Sequence, residues 1–204
     1  MDPLTQGTLG AALPQAVNNP RYAASAGLLG FLAGMAADLD VLIRSSEDPL
    51  LFLEYHRQFT HALVFIPVGG LICALVLHGL IGRRRGLTFG KTWLFCTLGY
   101  ATHALLDACT TYGTMLFWPF SDVRIAWNTI SIIDPLFTIP VLAAVILAAR
   151  RSKPVYTRIA LCWAVAYMAL GLWQRTEAID MGPALAAERG HTPLRLEAKP
   201  SFAN

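Results

Sequence analysis

Apolar residues in this chain come in long blocks rather than in a regular alternation. Blocks at 22–43, 62–82, 92–109, 132–149 and 154–173 are separated by short polar stretches. Each is close to the roughly 20 residues that carry a helix across a bilayer. They predict five membrane-spanning helices. A further apolar stretch, 2–17, is too short for a comfortable crossing and predicts a half-inserted or interfacial helix, ended by Asn18–Asn19–Pro20–Arg21. Gly27, Gly30 and Gly34 give the first full block a smooth face for close helix packing. The expected fold is therefore all-α, a polytopic integral membrane helical bundle over 1–173, with about five spans plus a short N-terminal half-inserted helix. Residues 174–204 turn polar and predict an extracytoplasmic tail, with an amphipathic helix near 176–189.

Composition agrees. The 204 residues are 55% hydrophobic and 14% charged, where a soluble domain carries about 25% charged residues. Mean hydropathy is +0.49. The net charge of +3 is small, and no basic tract is interleaved with aromatics, so nucleic acid is not an expected partner. Cys73, Cys96, Cys109 and Cys162 lie in apolar blocks without a CxxC pair and read as small buried hydrophobes. Cys109 is a weak ligand candidate. The N-terminal MDPLTQGTLGAALPQ lacks the basic region of a cleavable signal peptide.

Charge then orients the blocks. Basic residues in short loops stay on the cytoplasmic side, which places Arg83–Arg84–Arg85 with Lys91, and Arg150–Arg151 with Lys153, inside. The loops at 44–60 and 111–131 fall outside. On this map Asp38 and Asp40 end the first span, His56 and His61 enter the second, His103 and Asp107 occupy the outer half of the third, and Asp134 opens the fourth. All lie in one outer layer. Residues from Tyr55 to Leu106 include no acid. His78 sits at the opposite end and reads as structural; His191, in the tail, receives no role.

The layer has the chemistry of a site. His103 and Asp107 are four residues apart, so a helix presents them on one face. Ionisable groups at membrane depth are costly and mark function by default. Imidazole and carboxylate are also what a transition metal takes. Asp38 and Asp40, two apart, do not share a helix face; they can meet one ion only where the helix ends and the backbone turns. Thr60 is placed to cap the second span. Arg57, between the two loop histidines, suits a phosphate or a headgroup or loop ion pair.

Four stretches carry a resemblance: MDPLTQGTLGAAL at the start, Asp38-x-Asp40, HRQFTHAL at 56–63, and HALLDACTTYGTMLFWPFS at 103–121. Here the chain resembles the membrane-bound metal-dependent hydrolases of the YdjM type over most of residues 1–150. The resemblance implies a multi-helix inner-membrane protein whose divalent metal site is built from Asp38, Asp40, His56, His61, His103 and Asp107. Many members carry histidine where this chain has Gln6. The family is in turn distantly similar to zinc-dependent phospholipase C and S1-type nucleases, which use HxxxD ligand pairs. Ligand chemistry and resemblance together imply an outward-facing hydrolase. It would hold one or two divalent ions, zinc the first choice, and cleave a phosphoester in a membrane lipid or lipid-linked substrate. Asp38 or Asp40 would bridge two ions or act as general base, and Arg57 would hold phosphate. Two rival readings stay open: a metal-binding transporter, and a non-enzymatic membrane protein whose His/Asp cluster only ties helices together.

Overall fold

The computed structural model describes residues 1–201, so the last three residues of the tail lie outside the described ones. Among the described residues the chain is helical, with one isolated bridge, Thr114 to Ile125, in place of any strand. The helices are α1 (Pro3–Val17), α2 (Ala23–Gly34), α3 (Leu51–Tyr55), α4 (Ile66–Leu77), α5 (Phe89–Ala108), α6 (Pro135–Arg151) and α7 (Val155–Glu188).

Among the described residues, three continuous helical segments are long and apolar enough to cross a membrane: Pro20–Leu42, Leu63–Arg85 and Val155–Glu188. Sequence blocks suggested five. α5 has 20 residues, about 30 Å of helix, but Lys91, His103 and Asp107 lie within it and dilute its apolar character. α6 has 17 residues and closes on Arg150 and Arg151. α7 runs unbroken past residue 173, where the sequence turns polar, to Glu188. The amphipathic stretch expected at 176–189 is thus the end of the same helix.

Local signals account for most helix ends. Asp2 caps α1 by accepting from the Thr5 amide, with Pro3 at the first helical position. Thr88 accepts from the Lys91 amide at the start of α5. Asp134 accepts from the Leu136 and Phe137 amides at the start of α6, and the Tyr167 hydroxyl donates to its other oxygen at 2.7 Å. That carboxylate is therefore a cap rather than part of the His/Asp layer.

α1, α2 and α5 cross where glycines meet. A methyl group on Gly10 would stand 2.6 Å from the Gly30 carbonyl oxygen and 2.9 Å from Gly34 Cα, and one on Gly34 would stand 2.8 Å from the Gln6 carbonyl oxygen. Without side chains at the crossing, the backbones approach closely. α1 therefore packs against α2, and each end of the pair meets a different environment. Residues 16–25 meet basic residues: Lys91 donates to the Tyr22 hydroxyl at 2.6 Å, Arg158 to the Ala16 carbonyl at 2.9 Å, and Arg85 to the Ser25 hydroxyl at 3.4 Å. The other end meets Asp107.

Two polar loops close that second end. Leu63 N–H donates to the Leu116 carbonyl, and Met115 N–H to the Arg57 carbonyl, at 2.9 and 3.1 Å. Trp127 and Thr129 amides cap the last carbonyls of α5 at Ala108 and Cys109. The loops at 44–62 and 110–131 thus form one lid over the ends of α2, α4 and α5.

Candidate metal centre

α2 does not end in water. Beyond Gly34 the chain tightens into a 3₁₀ segment, Ala36–Leu42. The last carbonyls of a helix lack intrahelical partners. Here one of them, Gly34 C=O, is met at 2.6 Å by His103 Nδ1. A carbonyl only accepts, so Nδ1 carries the proton and the neutral ring offers its lone pair at Nε2. The glycine crossing and the orientation of His103 are consequences of one another.

His61 is oriented in the same way from the loop side. Thr60 Oγ donates to Asp40 Oδ2 at 2.8 Å, which leaves the hydroxyl oxygen to accept from His61 Nδ1 at 2.9 Å. Again Nε2 is left as the ligand atom. Asp40 Oδ2 itself lies 3.4 Å from His61 Nδ1. Carboxylate and hydroxyl partners of this kind fix ring and tautomer behind a metal ligand. Thr60 does not cap the second span; the 3₁₀ turn at Leu63–Phe65 has no side-chain cap.

Four atoms then converge. His61 Nε2 and His103 Nε2 are 3.0 Å apart. Asp38 Oδ1 stands 3.5 Å from the first and 3.3 Å from the second. Asp107 Oδ2 stands 3.2 and 3.7 Å from them. A tetrahedral ion with ligands at 2.0–2.1 Å has ligand–ligand edges of about 3.3 Å. These five separations bracket that value. His61, His103 and Asp107 are fully buried, and neither Asp38 Oδ1 nor Asp107 Oδ2 has a hydrogen-bond partner. Two buried carboxylate oxygens without donors, facing two imidazole lone pairs, make a donor set that fits a divalent cation. Burial alone would disfavour a charged His61, yet the carboxylates of Asp107, Asp38 and Asp40 outweigh it and push its pKa up to about 10. The cluster attracts positive charge.

Asp40 and His56 form the adjoining group. His56 Nδ1 is 2.7 Å from Asp40 Oδ1, and the Arg57 amide donates to Asp40 Oδ2 at 3.0 Å. Asp38, Asp40 and His56 also present donor atoms within 4.8 Å of one another. Asp38 thus belongs to both groups. The 3₁₀ segment divides its two acids, sending Asp38 to the buried histidines and Asp40 to the loop.

Arg57 connects the cluster to the surface. Its φ of 61° is unusual for a residue with a side chain. The conformation is held from both sides: its N–H by Asp40, its C=O by the Met115 amide and by Thr114 Oγ at 3.2 Å. It turns the guanidinium inward, with Nε 3.2 Å from Asp107 Oδ2, out of line for a hydrogen bond, and Nη1 3.4 Å from Thr110 Oγ.

The remaining sequence candidates divide cleanly. Gln6 reaches the site, donating to Asp107 Oδ1 at 2.8 Å, and the Met1 amine pairs with that same oxygen. Asp107 is therefore held through Oδ1, while Oδ2 faces the imidazoles and the Arg57 guanidinium. Cys109 belongs to neither donor group. His78 meets Thr92 Oγ at 3.0 Å at the opposite end. Sequence reasoning missed Thr60 as the link between Asp40 and His61, and the Gly34 carbonyl behind His103. It also passed over Arg124, which donates to the His56 carbonyl at 3.0 Å.

A family model described as YdjM inner membrane protein matches residues 1–178. The chain belongs to that family. Among curated relatives, inner membrane protein YbcI of Escherichia coli (strain K12) is 36% identical over 107 residues, covering 50% of this chain and 60% of the relative. The uncharacterized protein YfhP of Bacillus subtilis (strain 168) is 28% identical over 136 residues, 66% of this chain and 40% of the relative. The chain thus spans about half the length of these relatives. No solved structure gives a significant match. This YdjM-family membrane protein carries a His/Asp cluster able to bind a metal.

Proposed function

We propose that this chain is an inner-membrane metal-dependent hydrolase, multi-pass, with its site facing the extracytoplasmic side and acting on a phosphoester in a lipid or envelope-linked substrate. The observation that carries the reading is the convergence of Asp38 Oδ1, His61 Nε2, His103 Nε2 and Asp107 Oδ2, two of them buried oxygens without a donor. The other ring nitrogens of both histidines already hold partners, so the space between the two Nε2 atoms and those oxygens calls for a positive charge, an ion or a proton.

A zinc ion held there would lower the pKa of water toward about 7 and polarise a phosphoryl oxygen. Protein groups supply the rest. Asp40 fixes His56 and, through Thr60, His61. Asp38, shared by both donor groups, is placed to bridge if two ions bind. Arg57 stands between the cluster and the outer cleft, where a guanidinium can meet phosphate bidentately.

Two features support a lipid-borne substrate. An apolar groove of about 440 Å³, lined by Leu32, Leu39, Ile72, Val76 and Tyr100 among others, ends at Asp40 and Thr60. It runs along helices apolar enough to face lipid. Charge supports the orientation: Arg83–Arg85, Lys91, Arg150 and Arg151 gather at the opposite end from the cluster and would hold that end in the cytoplasm.

The test is direct. Protein purified in non-ionic detergent should contain stoichiometric zinc and should release product from phosphoester lipids in mixed micelles. A His103→Ala, Asp107→Ala double variant should do neither. Full activity in that variant, or wild-type protein free of metal and indifferent to added zinc, would end the proposal. Metal accumulation inside sealed vesicles without any hydrolysis would point instead to transport.

A further inference from the structure

Beside the cluster lies a cleft of about 580 Å³ lined by Phe52, Leu53, His56, Arg57, Tyr112 and Arg124. Two of the six are arginines and none is a carboxylate. Arg57 enters from the buried side. Its side chain is 8% exposed, with Nε 3.2 Å from Asp107 Oδ2 and Nη1 donating to Thr110 Oγ at 3.4 Å, and its guanidinium lies 5.4 Å from the Tyr112 ring centre. Arg124 enters from the second polar loop. Its Nη2 rests on the carbonyls of His56 and Leu53, at 3.0 and 3.5 Å, and no ion pair among the described residues involves it. The carbonyl of the residue preceding Arg57 thus brings the second guanidinium beside the first. Arg57 is paired with Asp107 on its buried side, whereas Arg124 is held only by backbone carbonyls.

We propose that this cleft is an anion site in which Arg57 and Arg124 together clamp a phosphate group next to the His/Asp cluster, with Tyr112 and the Phe52–His56 stack as its walls. Paired planar forks match the oxygens of a tetrahedral phosphate better than point charges do. The Phe52 and His56 rings are 5.1 Å apart and nearly parallel. The proposal rests on the phosphoester reading for its place in a reaction. It assigns Arg124, on the loop at 110–131, as a phosphate-binding residue beside Arg57.

The experiment titrates inorganic phosphate into the full chain in non-ionic detergent, with and without zinc, for the wild type and for Arg124→Gln and Arg124→Lys. Phosphate should bind the wild type. Arg124→Gln should weaken binding about 10-fold or more, since a charge-assisted hydrogen bond is worth at least that factor. Arg124→Lys should recover part of the loss, and zinc content should be the same in all three. Mixed micelles containing phosphatidic acid or phosphatidylcholine identify the source. Competition by phosphatidic acid assigns the clamp to a lipid headgroup; phosphate binding without it assigns the clamp to a free phosphate. Equal phosphate affinity in Arg124→Gln, no binding by the wild type, or loss of zinc in Arg124→Gln would overturn the proposal. Phosphate binding that depends on Arg124 in a chain that hydrolyses nothing would keep the clamp and remove the hydrolase. Hydrolysis of micellar phosphoester lipid with unchanged kcat and KM in Arg124→Gln would do the reverse.

Discussion

The two ends of the bundle carry similar residue types and treat them in opposite ways. At the basic end His78 meets Thr92, Lys91 meets Tyr22, and Arg158 meets the Ala16 carbonyl. Each of these polar groups has found a partner, and the result is helix adhesion. At the other end His61 and His103 are turned by partners behind them so that their Nε2 atoms face two buried carboxylate oxygens that make no hydrogen bond. Buried polar atoms without partners are rare and call for an explanation. The contrast separates a histidine that packs from a histidine placed where it could hold an ion, and burial alone would not have done so.

The largest effect should come from removing a ligand atom. His103→Ala or Asp107→Asn should reduce zinc affinity by about 100-fold or more, with the purified protein losing its metal; loss of one coordinating group is worth several kcal/mol. His78→Ala should retain full metal content. Elemental analysis of the three variants tests this, and equal zinc in all of them would erase the distinction between the two ends.

Removing the metal comes next. Zinc held at 100 times its dissociation constant stabilises a fold by about 2.7 kcal/mol, so a chelator should lower Tm in the wild type and leave His103→Ala unmoved. Without zinc, a proton on His61 takes the cation's place. Its folded pKa of about 10 lies above its ordinary 6.5. The stabilisation it gives is therefore complete below pH 6.5 and is lost as pH rises through 10. Metal-free protein should lose Tm across that window, while zinc-loaded protein should hold it. Parallel pH profiles in the two forms would contradict this account.

How far the sequence carried can be argued from single residues. The HxxxD spacing placed His103 and Asp107 on one helix face because helical periodicity is local. The glycines of α2 announced a close crossing because a missing side chain has one geometric use there. Pooling Asp38, Asp40, His56 and His61 at one end followed from counting basic residues in loops. What the sequence did not contain was the division of labour. Asp38 faces the buried histidines and Asp40 faces the loop only because the helix tightens after Gly34. Thr60 joins Asp40 to His61 only because the loop turns through the left-handed φ at Arg57. Those are tertiary facts. Three of the five expected spans meet the length and hydropathy of a crossing for a related reason: α5 carries the site at the expense of the hydropathy that would mark it as a span.

Asp40→Asn sharpens the contrast at a smaller magnitude. An amide in place of the carboxylate keeps the shape but loses the charge behind His56 and His61. Partners of this kind typically change metal affinity by about 10–100-fold. The variant should bind zinc at saturating concentration and release it to a weak chelator sooner than the wild type. Affinity as low as that of His103→Ala would make Asp40 a direct ligand instead.

Gln6 should give the smallest measurable effect. Its amide donates to Asp107 Oδ1, the oxygen facing away from the imidazoles, while its own Oε1 is buried without a donor. Gln6→Ala removes one hydrogen bond from a carboxylate that the Met1 amine also holds. The expected loss of zinc affinity is about 3-fold to 10-fold, the worth of about 1 kcal/mol. Gln6→His puts an imidazole on α1 where the glutamine now reaches Asp107. If Asp107 Oδ2 alone serves the ion, that ring adds a hydrogen bond and affinity stays near wild type. A rise of 10-fold or more would mean that residue 6 reaches the ion itself and that α1 supplies a ligand. Zinc titration of both variants decides whether the cluster is a four-atom site or a five-atom site with one position left to glutamine.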